Sequence, residues 1–140
     1  MLILIADDDD DDKALIQEAI IESRLGYDLV SVNDGEDLLD YLNHKGRYTG
    51  LTPSLPDLIL LDLNMPRKDG REALKEIRSD LHFKNIPVVI LTTSNRKDDI
   101  EKCYSMGANS FITKPVIFSD LVKVVNTLDR FWPENIKLAG

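Results

Sequence analysis

The sequence predicts an α/β domain, a doubly wound parallel sheet of five strands with five helices packed on its faces. Two observations carry this. Short runs such as Leu58–Leu61 are apolar throughout, the pattern of strands covered on both sides. Between them lie segments whose apolar residues recur at helical spacing, so strands and helices alternate along the chain. The 140 residues contain no internal repeat and nothing like an interdomain linker, so a single domain over residues 1–140 is expected.

Taken in order, Leu2–Ala6 is the first strand. Asp9 or Asp10 caps the helix after it, whose stripe of Leu15, Ile16, Ala19 and Ile20 runs to about Arg24. Tyr27–Val32 reads as the second strand, and a helix from about Gly35 to His44 buries Leu38, Leu39 and Leu42. Lys45 to Pro56, with Gly46, Gly50, Pro53 and Pro56, reads as a loop of roughly a dozen residues, long for a compact domain. Leu58–Leu61 is the third strand, and Asp69-Gly70 opens a helix over Glu72 to Arg78. Pro87–Leu91 is the fourth strand, followed by a helix from Lys97 to Met106 that Gly107 closes. Ser110–Ile112 is a short fifth strand. The last helix, Phe118–Phe131, carries Leu121, Val124, Val125 and Leu128.

Charge is concentrated in one place. The chain has 25 acidic and 17 basic residues, net −8, and six of the acids are the unbroken run Asp7–Asp12. Without that run the remainder is nearly neutral. An acidic balance argues against nucleic acid as a partner. No apolar run approaches the ~20 residues of a membrane span, and Met1–Ile5 is too short for a signal peptide. Cys103 is the single cysteine, so no disulfide framework exists and a reducing cytoplasm is the expected location.

In open parallel sheets, ligands sit beyond the carboxyl ends of the strands. Here strand one ends in Asp7-Asp8, strand three in Asp62, strand four in Thr92-Thr93 and strand five in Lys114-Pro115. Two carboxylates ~4 Å apart repel by ~4 kcal/mol at an effective dielectric of 20. Three together require a cation or must take up protons. A hard divalent ion such as Mg²⁺ suits an all-oxygen site. A metal and a lysine facing a carboxylate nucleophile are equipment for a phosphoryl group, whose transfer depends on positioning and electrostatics. Aspartate is an established covalent acceptor of that group.

These residues resemble the response-regulator receiver domain, the phosphoacceptor module of two-component signalling. The matching pieces are Leu2-Ile-Leu-Ile-Ala-Asp-Asp8, Pro56-Asp-Leu-Ile-Leu-Leu-Asp62-Leu-Asn-Met-Pro66, Asp69-Gly70, Val88-Val-Ile-Leu-Thr92-Thr and Phe111-Ile-Thr-Lys114-Pro115. They lie in the family's order over about residues 1–128, leaving 129–140 as a C-terminal extension. The resemblance implies a flavodoxin-like sheet in strand order 2-1-3-4-5. It implies that Asp62 takes a phosphoryl group from a histidine kinase, with Mg²⁺ held by Asp7, Asp8, Asp62 and the backbone carbonyl of Asn64. Thr92 and Lys114 would hold the bound phosphoryl group, and Phe111 would be the aromatic switch, turning inward on activation. It also implies a cis Lys114-Pro115 bond, slow self-dephosphorylation rather than enzymatic turnover, and a signal that leaves through a contact with an unknown downstream protein. A homodimer or partner surface would form around Phe111, Val116, Ile117, Phe118, Phe131 and Trp132.

The Lys45–Pro56 loop, Pro66-Arg-Lys-Asp-Gly-Arg71 and the ending Phe131-Trp132 are similar to the small regulators of bacterial phytochromes and related histidine kinases. That group usually has proline where this chain has Asp10. The competing enzymatic reading is a small Mg²⁺-dependent phosphatase of the haloacid-dehalogenase type, with Asp7/Asp9 or Asp8/Asp10 as its Asp-x-Asp pair. It leaves Asp62 without a task. A flavodoxin-like cofactor binder would need a hydroxyl-rich phosphate loop where this chain is most negative.

Overall fold

The computed structural model describes residues 1–50 and 54–139, with side chains through residue 130. Five strands, β1 (Leu2–Ala6), β2 (Asp28–Val32), β3 (Leu58–Leu61), β4 (Val88–Thr92) and β5 (Ser110–Thr113), alternate with five helices. The helices are α1 (Asp10–Glu22), α2 (Gly35–Asn43), α3 (Gly70–Ser79), α4 (Lys97–Ser105) and α5 (Phe118–Ala139). The sheet order is β2-β1-β3-β4-β5 and every pair is parallel. The flavodoxin-like topology is thus the one expected. The chain turns from one side of β1 to the other between β2 and β3, which opens a crevice at the carboxyl ends of β1 and β3.

Alternation along the strands divides the core into two layers. Leu4, Ala6, Ile59, Leu61, Val88 and Ile90 pack against Leu38 of α2, Leu74 and Ile77 of α3 and Cys103 of α4. Ile3, Ile5, Leu58, Leu60, Val89 and Leu91 face Ile16, Ala19 and Ile20 of α1 and Leu121 and Val125 of α5. Cys103 is packed in this way, and burial pushes its thiol pKa up. Aspartates cap three of the helices. Asp9 accepts the N–H groups of Asp11 and Asp12, Asp34 accepts that of Asp37, and Asp69 that of Glu72.

Several expectations are corrected. β4 begins at Val88 and ends at Thr92, one residue later than expected, since Pro87 has no N–H for the ladder. β2 begins at Asp28, and β5 continues to Thr113. Leu15 lies on the exposed side of α1, and Lys13 takes the inner position one turn before Ile16. The Lys13 stem is buried while its ammonium bonds Asn33 and sits 3.2 Å from Asp10. The Lys45–Pro56 loop contains a 3₁₀ turn, Gly46–Tyr48, folded back on α2. The Tyr48 ring meets Tyr41 edge-on at 5.2 Å, and Arg47 and the Tyr48 hydroxyl both bond Asp37. α5 continues past Phe131 to Ala139. No cis peptide bond occurs among the described residues, so the cis Lys114-Pro115 bond is not observed; trans is favoured even before proline, by about 0.5–1 kcal/mol.

Leu74 has no exposed surface, whereas Leu81 is 80% exposed. Leu74→Ala is expected to lower unfolding free energy in urea by about 2–5 kcal/mol through lost burial and a cavity. Leu81→Ala is expected to change it by no more than about 0.5 kcal/mol.

Candidate functional site

In a parallel sheet all carboxyl ends lie on one rim, and the sheet's own ladder holds the residues just past them. The Asp7 N–H donates to the Val32 carbonyl, the Asp62 N–H to that of Ala6, and the Lys114 N–H to that of Thr92. Each functional side chain therefore leaves from backbone that is still part of the sheet. Asp7, Asp62 and Thr92 are buried, while Asp8 is exposed. Carboxylate oxygens of Asp7, Asp8 and Asp62 all lie within 4.8 Å of one another.

One ammonium faces this cluster. Lys114 Nζ donates to Asp7 Oδ2 at 2.7 Å, Asp12 Oδ2 at 2.8 Å and Asp62 Oδ2 at 3.1 Å. Burial disfavours its charged form, but the bonds to Asp12 and Asp7 and the charge of Asp62 outweigh this, so its pKa lies above that of an ordinary lysine. For Asp7 the balance runs the other way. Burial raises its carboxyl pKa, more than the Lys114 and Asp9 hydrogen bonds lower it. Asp12, the last residue of the acidic run, is also a direct partner of Lys114.

The Thr92 hydroxyl is buried and has no hydrogen-bond partner among the described residues. Leaving such a group unsatisfied costs about 1–3 kcal/mol, so it suits a ligand that brings an oxygen to it. The three-carboxylate cluster suits a hard cation for a parallel reason. Its donors are all oxygens, Asp7 and Asp62 share one lysine with Asp12, and Asp8 has no ion pair with that lysine.

The loop carrying Asp62 into α3 is held from three sides. The Gly70 N–H donates to the Leu63 carbonyl, and a Cβ on Gly70 would stand 2.2 Å from the Asp62 carbonyl oxygen. Arg67 has a left-handed φ of 61°, uncommon for a residue with a side chain. Its guanidinium bonds Asp34 Oδ2 at 2.8 and 3.0 Å. Asp34 is buried, and its other oxygen caps α2. Asp34 and Arg67 escaped the sequence reading. An aspartate immediately before a helical pattern is a cap signal, but nothing in the sequence ties it to Arg67.

Among the remaining expected residues, Asn64 is exposed, with its N–H 3.5 Å from Asp62 Oδ1. Phe111 is half-buried against the α2–α3–α4 layer of the core, and its N–H donates to the Tyr104 hydroxyl. Val116, Ile117 and Phe118 are exposed side by side where α5 begins. The side chains of Phe131 and Trp132 lie outside the described residues. The segment after β4 is also tied down. Ser94 Oγ donates to Asp99 of α4, which also accepts from Arg71 of α3.

The response regulator receiver domain matches residues 3–126. The chain belongs to this family. The receiver is 40% identical over 136 residues to the response regulator Rcp1 of Synechocystis sp., covering 97% of this chain and 91% of Rcp1. Its fold superposes on the phosphorylated cyanobacterial phytochrome response regulator RcpA with a TM-score of 0.85 at 45% identity, over 94% of this chain and 92% of RcpA. The Mn²⁺-bound form of Rcp1 gives a TM-score of 0.83 at 40% identity, over 94% and 93% of the two chains. RPA3017, a response regulator in red light signalling of R. palustris, gives 0.85 at 37%, over 94% and 92%. The receiver is therefore a two-component signalling module similar to phytochrome response regulators, and the phosphatase alternative is not supported. No helix among the described residues is long and apolar enough to cross a membrane.

Close approach at Gly70 leaves no room for a methyl group without moving the Asp62 backbone. Gly70→Ala is expected to destabilise the receiver by more than about 1 kcal/mol in urea denaturation, above what an unstrained substitution costs. Amide chemical shifts of residues 62–64 are expected to move with it, whereas Gly26→Ala, with nothing within 4 Å of its added Cβ, should leave those shifts in place.

Proposed function

We propose that Asp62 is the phosphoacceptor of this receiver and takes its phosphoryl group from a phosphohistidine of a histidine kinase. The observation that carries the reading is the meeting of Asp62, Lys114 and the orphaned Thr92 hydroxyl on one buried rim. An Asp62 carboxylate oxygen forms the new O–P bond as the P–N bond of the donor breaks. The electron pair of that bond stays on the imidazole nitrogen. Lys114 turns from the Asp62 carboxylate to a phosphoryl oxygen, and Thr92 donates its free hydroxyl hydrogen to another. A resident Mg²⁺ would be held by Asp7, Asp8, Asp62 and the Asn64 carbonyl, and its chemistry would be to neutralise charge on the reacting oxygens.

The new contacts of Thr92 and Lys114 exist only in the phosphorylated state, so they can bias two populations of the α4–β5–α5 face. Phe111 is the proposed switch within that face. The relatives with phytochrome partners in their names support a phytochrome-type kinase upstream. Downstream, the exposed Val116, Ile117 and Phe118 form an apolar patch of the kind that marks interaction sites, here for a homodimer or an effector protein. The receiver acts as a cytoplasmic phosphoacceptor that loses its phosphoryl group slowly, without turning over a substrate.

Incubation with Mg²⁺ and acetyl phosphate, read by intact mass, is expected to add one phosphoryl group to wild type and none to Asp62→Asn, and chelation should stop the reaction. An adduct on Asp7 or Asp8 with turnover of phosphomonoesters would overturn the reading. For the homodimer, sedimentation of Phe118→Ala should shift toward monomer relative to wild type. A wild type that stays monomeric with and without phosphorylation removes that part of the proposal.

A further inference from the structure

We propose that Asp12 is a positioning residue for phosphoryl transfer, acting through Lys114; this rests on the assignment of Asp62 as phosphoacceptor. A lysine ammonium has three N–H donors and no acceptor, and here all three are taken, by Asp7, Asp12 and Asp62. The three acceptors are not equivalent. Asp7 and Asp62 belong to the cluster whose oxygens suit a cation, and Asp12 does not. When the O–P bond to Asp62 forms and the donor P–N bond breaks, the Lys114 hydrogen on Asp62 passes to a phosphoryl oxygen. Asp12 is then the one carboxylate on Lys114 that neither cation nor phosphoryl group claims.

Its own placement is constrained. The Asp12 N–H donates to Asp9 Oδ1 at 3.0 Å, and the Asp9 N–H donates to Asp7 Oδ1 at 2.9 Å. Asp12 and Asp7 both accept from Lys114, so the four residues close a hydrogen-bonded ring around the start of α1. Lysine carries its charge on a flexible four-carbon stem. The ring holds that charge 3.1 Å from Asp62 Oδ2, in the place where a phosphoryl oxygen would meet it. A misplacement of about 1 Å in such a group costs on the order of 10²-fold in rate.

The test follows adduct formation on the full chain by intact mass, with Mg²⁺ and phosphoramidate as the donor, whose nitrogen leaves as ammonia. Asp12→Ala is expected to slow the reaction by about 10-fold. Asp12→Asn keeps an acceptor oxygen for Lys114 and should stay within about 3-fold of wild type. Asp11→Ala removes an equal charge from the same turn but no bond to Lys114, and should leave the rate unchanged. In a Lys114→Ala background, Asp12→Ala should add less than about 2-fold, since a residue acting through Lys114 has nothing left to act on. An Asp12→Ala rate at or above wild type would show that the carboxylate merely repels the donor, and would overturn the proposal. So would a slowing that persists in full without Lys114. A wild type that gains no adduct on Asp62 refutes the phosphoacceptor reading itself, a result distinct from either.

Discussion

Charge compensation at the carboxyl rim of the sheet is the constraint on which this receiver is organised. Three carboxylates, Asp7, Asp12 and Asp62, converge on one ammonium from beyond β5, and a fourth, Asp8, stands beside Asp7 and Asp62. Each pair of like charges ~4 Å apart costs ~4 kcal/mol at an effective dielectric of 20, and one lysine cannot offset all of them. The remaining negative charge is what gives the site its appetite for a cation. The lysine, held by three acceptors, is fixed where a transferred anion would need it. Asp7 and Lys114 show the balance in opposite ways, since burial prevails in the first and partner charges prevail in the second.

Such a site requires backbone that does not yield. Ladder hydrogen bonds extend one residue past β1, β3 and β5, so Asp7, Asp62 and Lys114 start from the sheet itself. Beyond that point, contact takes over from hydrogen bonding. Gly35 and Gly70 let backbone approach where a Cβ would lie 2.4 Å from the Lys68 carbonyl oxygen and 2.2 Å from that of Asp62. Arg67 sits in a left-handed conformation and is held there by the buried Asp34 carboxylate, which ties the Asp62 loop to the cap of α2. Arg71, Asp99 and Ser94 bind α3, α4 and the segment after Thr92 in a second tie. Asp99 of α4 thus holds both α3, which follows the Asp62 loop, and the segment after Thr92.

The strand-end residues were legible because a strand covered on both faces reads as an apolar run, and the first polar residue after it marks the rim. Asp7 and Asp62 stand at such breaks, Thr92 is the last residue of β4, and Lys114 is the first residue past β5. The acidic run was harder. Asp9 as a cap follows from local pattern, but Asp11 and Asp12 look alike in sequence, and only one of them meets Lys114. Leu15 and Lys13 show the same limit. Hydrophobicity favours the leucine for the inner face, but the phase of α1, set by Ile16, Ala19 and Ile20, puts Lys13 there and lets Asn33 and Asp10 satisfy its charge.

By itself the sequence determined the alternation of strands and helices, and the chemistry carried past each strand, because both depend on short-range patterns of apolar and polar residues. Tertiary structure decided which of those groups meet. Lys114 lies 102 residues from Asp12 and 107 from Asp7, and its bonds to them exist only because a parallel sheet in the order β2-β1-β3-β4-β5 brings those strand ends to one rim. The run of six aspartates was one acidic feature on paper. The fold assigns its members different work, with Asp7 and Asp8 in the carboxylate cluster, Asp9 capping α1, Asp10 beside Lys13, Asp11 in solvent and Asp12 on Lys114. A helix turns each successive side chain by about 100°, so neighbours in sequence face different surroundings.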